Sequence, residues 1–209
     1  MIDLEETSMN YYRIKKACRE IDWSTVERLK MECKYLDTPE QIGAFAQICY
    51  NKDGIQVHLW SENDDVRAVE NGPLGSPCED SCLEFFFSPM EGDLRYFNIE
   101  FNSNGCLFLG FGSSVSDLTR LILDDPNALF NPKICRTDTG WEIFYTVPYQ
   151  FIRRFFPDFE IKQGKTVRAN CYKCADLTVP ANYLSWSPVD PDHFTFHAPT
   201  HFGTMEFEA

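Results

Sequence analysis

The chain has 209 residues, of which 44% are hydrophobic and eighteen are phenylalanine, so it can bury a large core and is not intrinsically disordered. Its 32 acidic residues outnumber the 19 basic ones and give a net charge of −13. Because so acidic a surface repels phosphate backbones and anionic lipid headgroups, we expect no nucleic-acid partner and no membrane partner. A neutral small molecule or a polysaccharide suits this charge better.

Apolar and polar residues alternate in a series of short segments with turn signals between them. In chain order, this pattern predicts strands at Ile55 to Trp60, Cys82 to Phe87, Phe97 to Asn102, Cys106 to Phe111, Trp141 to Val147, Val167 to Cys174 and Thr204 to Phe207. Helical periodicity is confined to Ser24 to Lys30 and Gln150 to Phe156. We therefore predict one all-β domain over residues 1–209, an antiparallel, jelly-roll-like β-sandwich of about nine strands with one or two short helical turns.

The cysteines and the N-terminal sequence indicate in which cellular compartment the protein is expected. The nine cysteines are odd in number, and several lie among apolar residues, which is typical of buried free thiols rather than of a disulfide framework. The first sixteen residues, MIDLEETSMNYYRIKK, contain no apolar segment of the kind that secretory signals carry. Both features favour a reducing, cytoplasmic location.

The segment CEDSCLEFFFSP, residues 78 to 89, combines acids, thiols and three consecutive phenylalanines. As a strand, it directs alternate residues to opposite faces, with Leu83, Phe85 and Phe87 on the core side and Cys82, Glu84 and Phe86 on the other. Glu100 lies on the more polar face of the next predicted strand, between Asn98 and Asn102. If the two strands pair, their shared polar face is either a solvated sheet surface or a surface that hydrogen-bonds sugar hydroxyls.

Two cysteine pairs, Cys78 with Cys82 and Cys171 with Cys174, are the candidates for a zinc site. Structural zinc needs four converging ligands, whereas a strand over Val167 to Cys174 sends Cys171 and Cys174 to opposite faces. The sequence therefore argues against zinc, and the metal content stays open.

Paired acidic residues also leave a glycoside hydrolase as an alternative, with Glu84 acting together with Glu100 or Glu79. No nucleophile elbow, P-loop or HExxH motif accompanies them. The acids are the only feature that favours this alternative.

Seven segments in a fixed order resemble one known family. They are GIQVHLW, EDSCLEFFFSP, YFNIEFNSNG, WEIFYTVPY, VRANCYKCAD, LSWSPV and FHAPTHFGTMEFE. Together they resemble carbohydrate-binding module family nine, in particular its bacterial family-nine-like branch, from about Ile21 to Glu208. The resemblance implies a β-sandwich without catalysis of its own that recognises a mono-, oligo- or polysaccharide. It further implies support of glycan degradation beside a glycoside hydrolase, usually outside the cell, with no required cofactor and, in some members, structural calcium.

The family's sugar site is a slot between two tryptophans, and the resemblance carries its residues over one by one. The acid of the DSxxE strand matches Glu84, and a polar contact on the next strand matches Asn98. The RANCYK strand supplies Asn170 and Tyr172, with Lys173 as a further alternative, and Phe196 takes the place of the second tryptophan. We therefore expect Glu84, Asn98, Asn170, Tyr172 and Phe196 to bind the ligand.

The first tryptophan of the family falls at Cys78, which is a departure from the pattern. Without that ring the sugar loses one stacking surface, which Trp60 or Tyr183 could replace from a neighbouring loop. The departure also leaves a third function open, an interaction or structural β-sandwich that has lost its ligand.

Overall fold

The computed structural model describes residues 10–190 and 192–209, which form fourteen strands. In the first half of the chain they are β1 (Tyr11–Lys16), β2 (Leu29–Lys30), β3 (Cys33–Tyr35), β4 (Gly43–Tyr50), β5 (Gly54–Glu62), β6 (Cys82–Ser88) and β7 (Tyr96–Asn102). They continue as β8 (Leu107–Gly112), β9 (Thr119–Arg120), β10 (Lys133–Arg136), β11 (Trp141–Pro148), β12 (Thr166–Cys174), β13 (Tyr183–Ser185) and β14 (Gly203–Phe207). All seven strands predicted from alternation are present within one or two residues of their predicted bounds.

Helices are short. Helix α1 (Pro126–Phe130) begins where the Asp125 side chain accepts a hydrogen bond from the Asn127 backbone N–H, and it was not predicted. Helix α2 (Tyr149–Phe155) confirms the second predicted helix. The first was largely wrong, because only Trp23–Thr25 forms a single 3-10 turn and Leu29–Lys30 is strand β2. Pairing of Leu29 with Ala46 on β4 outweighs the local helical preference there.

The strands form one curled sheet in the order β10-β11-β5-β4-β1-β14-β12-β6-β7-β8-β9, with β2, β3 and β13 attached beside it. The sheet curls over itself, so its two halves face each other as the layers of the predicted sandwich. Strand β1 joins the halves, because Tyr11 to Ile14 pair with β14 and Lys15 and Lys16 pair with β4. Both β1 pairings are parallel, so the sheet is mixed, while the other pairings among the described strands are antiparallel.

The main core lies between the two halves and is built from the residues that alternation assigned to it. Leu83, Phe85 and Phe87 of β6 are fully buried there, and Val57 and Leu59 of β5 approach from the other half. Burial of so many large apolar side chains is the main stabilising contribution to this fold.

The opposite face of β6 and β7 is also covered, so of the two alternatives for this face the solvated sheet surface is wrong. Every residue of both strands is buried. A second apolar cluster lies over this face, where Val189, Phe196 and Phe202 from the C-terminal segment pack against Phe86 and Tyr172. Alternation along a strand assigns side chains to faces, but it does not reveal a distant segment that folds across one of them.

All nine cysteines lie among the described residues and are free thiols. Cys171 lies in the main core and Cys174 in the second cluster, so the two are on opposite faces of β12 as predicted. No helix in the described part of the chain is long and apolar enough to span a membrane.

Candidate functional site

Four side chains form one row across the sheet on the face below the second apolar cluster. Strand pairing sets Tyr172 of β12 opposite Glu84 of β6, Glu84 opposite Glu100 of β7, and Glu100 opposite Phe108 of β8. Residues directly opposite one another in a sheet point to the same side with their Cβ atoms about 5 Å apart. The register of the strands therefore brings an aromatic ring and two carboxyl groups together.

The two carboxyl groups are close and poorly solvated. Glu84 is 2% exposed and Glu100 is 6% exposed, and one carboxylate oxygen of each lies within 4.8 Å of the other. Burial and then the charge of Glu100 hold the pKa of Glu84 well above its usual range. Burial likewise raises the pKa of Glu100 to about 7. Two carboxylates at this distance in an apolar setting share protons rather than both ionise.

Asn98 lies in the next row of the same face, two residues before Glu100 on β7. Its Nδ2 donates to Oε1 of Glu100 over 2.7 Å, which orients that carboxyl group. Its Oδ1 is buried and accepts no hydrogen bond from any described residue. We call Glu84, Asn98 and Glu100 the polar floor.

An aromatic wall, made of Tyr172, Phe196 and Tyr183, stands beside the polar floor. The rings of Tyr172 and Phe196 stack with centroids 4.2 Å apart and an angle of 16° between their planes. The ring of Tyr183 meets that of Phe196 edge-on at 6.4 Å. Phe196 is only 8% exposed, so its ring is packed chiefly against protein.

Asn170, which lies beside Tyr172 on β12, holds the wall in position. Its Nδ2 donates to the hydroxyl of Tyr172 and to the backbone oxygen of Ser187, each over 2.9 Å. Its Oδ1 accepts from the backbone N–H of Ser187, and the Tyr172 hydroxyl donates onward to the backbone oxygen of Phe196. Both the Nδ2 and the Oδ1 atoms of the Asn170 amide are therefore hydrogen-bonded within the protein.

Half-buried side chains border the polar floor on both sides. Cys78 is on one side, and its backbone oxygen accepts from the N–H of the exposed Asp176. On the other side the Arg120 guanidinium lies 4.6 Å above the Phe108 ring and donates to the backbone oxygens of Leu74, Gly75 and Leu107. Charges of opposite sign therefore flank the two buried carboxyl groups.

Two further sequence-predicted residues lie away from this site. Trp60 is on β5, in the other half of the sheet, where it stacks on Phe45 and His58, so it cannot replace the missing wall at Cys78. Lys173 is fully buried on the opposite face of β12, where its Nζ lies 3.3 Å from Asp64 and donates to Asn182. Of the two aromatic replacements considered, only Tyr183 is at the site.

Among the described residues, one group of three side chains could hold a metal ion. Cys82, Glu84 and Glu100 place their ligand atoms within 4.8 Å of one another. Calcium takes six to eight oxygen ligands, and this group offers two carboxyl groups beside a thiol. Its donor set therefore does not fit structural calcium.

Sequence reasoning missed several residues of this site. Glu100 was placed on the polar face beside Glu84 and considered as a catalytic acid, but it was not among the predicted ligand-binding residues. Phe108, Arg120 and Asp176 carried no signal in the sequence. They reach the site through strand pairing and loop contacts between residues that are far apart in the chain.

The geometry argues against the glycoside hydrolase alternative. A hydrolase needs its two carboxyl groups on either side of the scissile bond. Glu84 and Glu100 instead project side by side from paired strands, so no sugar ring fits between them. Glu79 lies in a 3-10 turn before β6, outside the row that contains Glu84.

The fold and the site together define a class, a β-sandwich binding module with a buried polar floor beside stacked aromatic rings. The family model of carbohydrate-binding family 9 matches residues 15–207. The chain belongs to this family, whose modules bind carbohydrate without catalysis.

Three solved structures are similar to this chain. A candidate carbohydrate-binding protein from Bacteroides uniformis ATCC 8492 is 28% identical, with 96% of this chain and 100% of that chain covered and a TM-score of 0.79. A family 9 carbohydrate-binding module from Caldicellulosiruptor kristjanssonii in complex with cellotriose is 12% identical over 96% of this chain and 94% of that chain, with a TM-score of 0.64. The module from that organism in complex with glucose is 11% identical over 96% of both chains, with a TM-score of 0.65. The last two show the fold alone. No curated protein matches this chain.

Proposed function

We propose that this chain recognises a sugar, or the end of an oligo- or polysaccharide, at the polar floor and aromatic wall. Glu84, Asn98 and Glu100 hydrogen-bond the ligand, and the wall packs against its apolar C–H face. The observation that carries the proposal is the row of Tyr172, Glu84 and Glu100, which places aromatic and polar groups side by side on one face.

Family membership and the neighbouring structures support this proposal. Two structural neighbours are described in complex with cellotriose and with glucose, so the fold accommodates a neutral sugar. Asn170 takes a positioning role in the proposal, since it holds the wall rather than offering a free amide.

The proposal extends to the biological setting. The module supports glycan degradation by holding a substrate for a glycoside hydrolase, which is the partner that the family resemblance suggests. It requires no cofactor. Structural calcium stays a prediction, and the group of Cys82, Glu84 and Glu100 is not a suitable site for it. The free thiols favour a reducing compartment.

Calorimetric titration with a panel of mono- and oligosaccharides tests the proposal. We expect binding of at least one sugar at millimolar concentration or tighter, and its loss in Glu84→Gln, because the amide carries a fixed NH2 group in place of one of the two carboxyl oxygens and cannot ionise. Glu91→Gln is the matched control, since Glu91 is an exposed acid in the turn after β6.

Two results would contradict the proposal. No binding to any sugar of the panel would favour the alternative of an interaction sandwich that has lost its ligand. Turnover of aryl glycosides that disappears in Glu84→Gln would restore the hydrolase alternative.

A further inference from the structure

The polar floor is rich in hydrogen-bond acceptors. Glu84 and Glu100 accept through their carboxyl oxygens, and the buried Oδ1 of Asn98 has no donor among the described residues. Nδ2 of Asn98 gives one of its two N–H groups to Glu100, and each carboxyl group donates only while it is protonated. Once the pair ionises, a ligand that fits this floor must therefore bring donors of its own.

The spacing of the two carboxyl groups suits a single donor atom between them. Their nearest oxygens lie within 4.8 Å of each other. A charge-assisted N–H···O bond has a length of about 2.8 Å, so two such bonds from one nitrogen span up to about 5.6 Å. One nitrogen can therefore contact Glu84 and Glu100 at the same time.

A hydroxyl group and an ammonium group differ in how well they satisfy this pair. A sugar hydroxyl donates one hydrogen bond, so it serves two carboxyl groups only while one of them is protonated and donates back. A protonated amine donates three and supplies a positive charge that favours ionisation of the buried pair. The amine also has a donor left over for a third acceptor such as Asn98.

We propose that this site prefers an amino sugar with a protonated amine over the corresponding neutral or acidic sugar, and the preference rests on the proposed function. An acidic sugar is disfavoured because its carboxylate would place a further negative charge beside two buried acids whose ionisation is already disfavoured.

The surroundings of the pair set the pH at which this preference develops. The charged groups that act on it are Asp176, which disfavours ionisation, and Arg120 and Lys173, which favour it. Four thiols, those of Cys78, Cys82, Cys106 and Cys174, and the phenols of Tyr96 and Tyr172 also interact with the pair. Burial raises the pKa of all six groups, which keeps them neutral. As pH rises from 5 to 7 the pair gains negative charge, whereas an aliphatic amine keeps its proton. The preference should grow over this range.

Calorimetry of the full chain with glucosamine, glucose, N-acetylglucosamine and glucuronic acid, each at pH 5 and pH 7, tests the proposal. N-acetylglucosamine is the matched control ligand, because its ring is the same and its nitrogen carries no charge. We expect glucosamine to bind about tenfold more tightly than the neutral sugars at pH 7, the difference between a charge-assisted and a neutral hydrogen bond. Glu100→Gln should remove the preference, and Glu91→Gln should keep it.

The possible results separate this inference from the proposed function. Equal binding of glucose and glucosamine at pH 7 would overturn the inference and leave sugar binding intact. Absence of binding by all four sugars would overturn the inference and count against the proposed function. Zn²⁺ added alone is a further probe, and tight zinc binding without glucosamine binding would overturn the inference in favour of a metal site.

Discussion

The ring of Phe196 stacks on the ring of Tyr172 with centroids 4.2 Å apart, and the Tyr172 hydroxyl donates to the backbone oxygen of the same Phe196. One residue pair therefore combines an apolar and a polar contact between β12 and the C-terminal segment. Nδ2 of Asn170 donates a further hydrogen bond to the Tyr172 hydroxyl and holds the ring in position. The stacked pair is one of the contacts that attach this segment over the polar floor.

Phe196→Ala should destabilise the fold by about 3 kcal/mol, since it removes a buried aromatic ring and leaves a cavity beside Tyr172. Urea unfolding followed by tryptophan fluorescence measures the loss. Phe194→Ala is the matched control, because Phe194 lies two residues away in the same segment and is 44% exposed. Equal midpoints for Phe196→Ala and the wild type would show that the stacked pair contributes nothing to attachment.

The same two variants should differ in sugar affinity. Phe196→Ala should weaken binding about tenfold or more, because a packed aromatic surface contributes on the order of 1–3 kcal/mol by burial. Titration at a temperature where the variant remains folded gives the comparison. Unchanged affinity in a folded Phe196→Ala variant would place the sugar away from this wall.

Stability should fall as pH rises through the range in which the buried acids titrate. In the folded chain Glu100 has a pKa of about 7, against an ordinary value of 4.5. The unfolded chain therefore releases this proton first, and the free energy of unfolding decreases by up to about 1.4 kcal/mol per pH unit between these two values. The raised pKa of Glu84 acts in the same direction.

Thermal unfolding from pH 4 to pH 8 measures this dependence. Glu100→Gln should be more stable than the wild type above pH 7 and should approach it below pH 4.5, because the amide cannot ionise. Glu91→Gln should follow the wild type throughout. Parallel curves for Glu100→Gln and the wild type would mean that Glu100 does not hold its proton in the folded chain.

Asp80 should be required for the shape of the loop that leads into β6. Its carboxylate is fully buried and accepts from the backbone N–H groups of Val69 and Glu70, from Nδ2 of Asn102 and from Arg67. Asp80→Asn should cost about 3 kcal/mol, because an amide presents N–H groups to donors and leaves Arg67 without its partner.

Chemical denaturation of Asp80→Asn checks this expectation. Glu79→Gln is the matched control, since Glu79 is adjacent and its side chain makes no hydrogen bond to any described residue. A loss below 0.5 kcal/mol in Asp80→Asn, within the ordinary range for surface changes of about ±0.5 kcal/mol, would contradict a supporting role.

Local patterns in the sequence located the strands and the faces of their side chains. The alternation in residues 82–87 placed Phe85 in the core and Glu84 on the opposite side, and both placements hold. The DSxxE motif likewise pointed to Glu84, and its Asp80 and Ser81 accept hydrogen bonds from the backbone N–H groups of Glu70 and Arg67.

Long-range packing lay beyond the reach of those patterns. The cover over β6 comes from a segment more than a hundred residues later, where Phe196 lies, and Arg120 reaches the site through the pairing of β8 with β9. Lys173 and Trp60 were candidates for the site by type, yet strand register places them on other faces. A one-residue difference in register changes the face, so the alignment of a motif could not decide between Tyr172 and Lys173.

Cys78, which stands where the family has a tryptophan, should be a slow-reacting thiol. Burial, together with the negative charges of Glu100, Asp176 and Glu84, raises the pKa of this half-buried thiol. Because the thiolate is the reactive form, alkylation by iodoacetamide at pH 8 should be about tenfold slower at Cys78 than at the exposed Cys18 and Cys135.

Peptide mass spectrometry over a time course gives the three alkylation rates in one sample. Glu100→Gln should speed labelling of Cys78 and leave the rates at Cys18 and Cys135 unchanged, because it removes a negative charge that acts on Cys78. A bound sugar should slow it further, because a ligand on the polar floor would cover this thiol. Equal rates at Cys78 and Cys18 would show that the acids do not act on Cys78, and the thiol would then be no probe of the site.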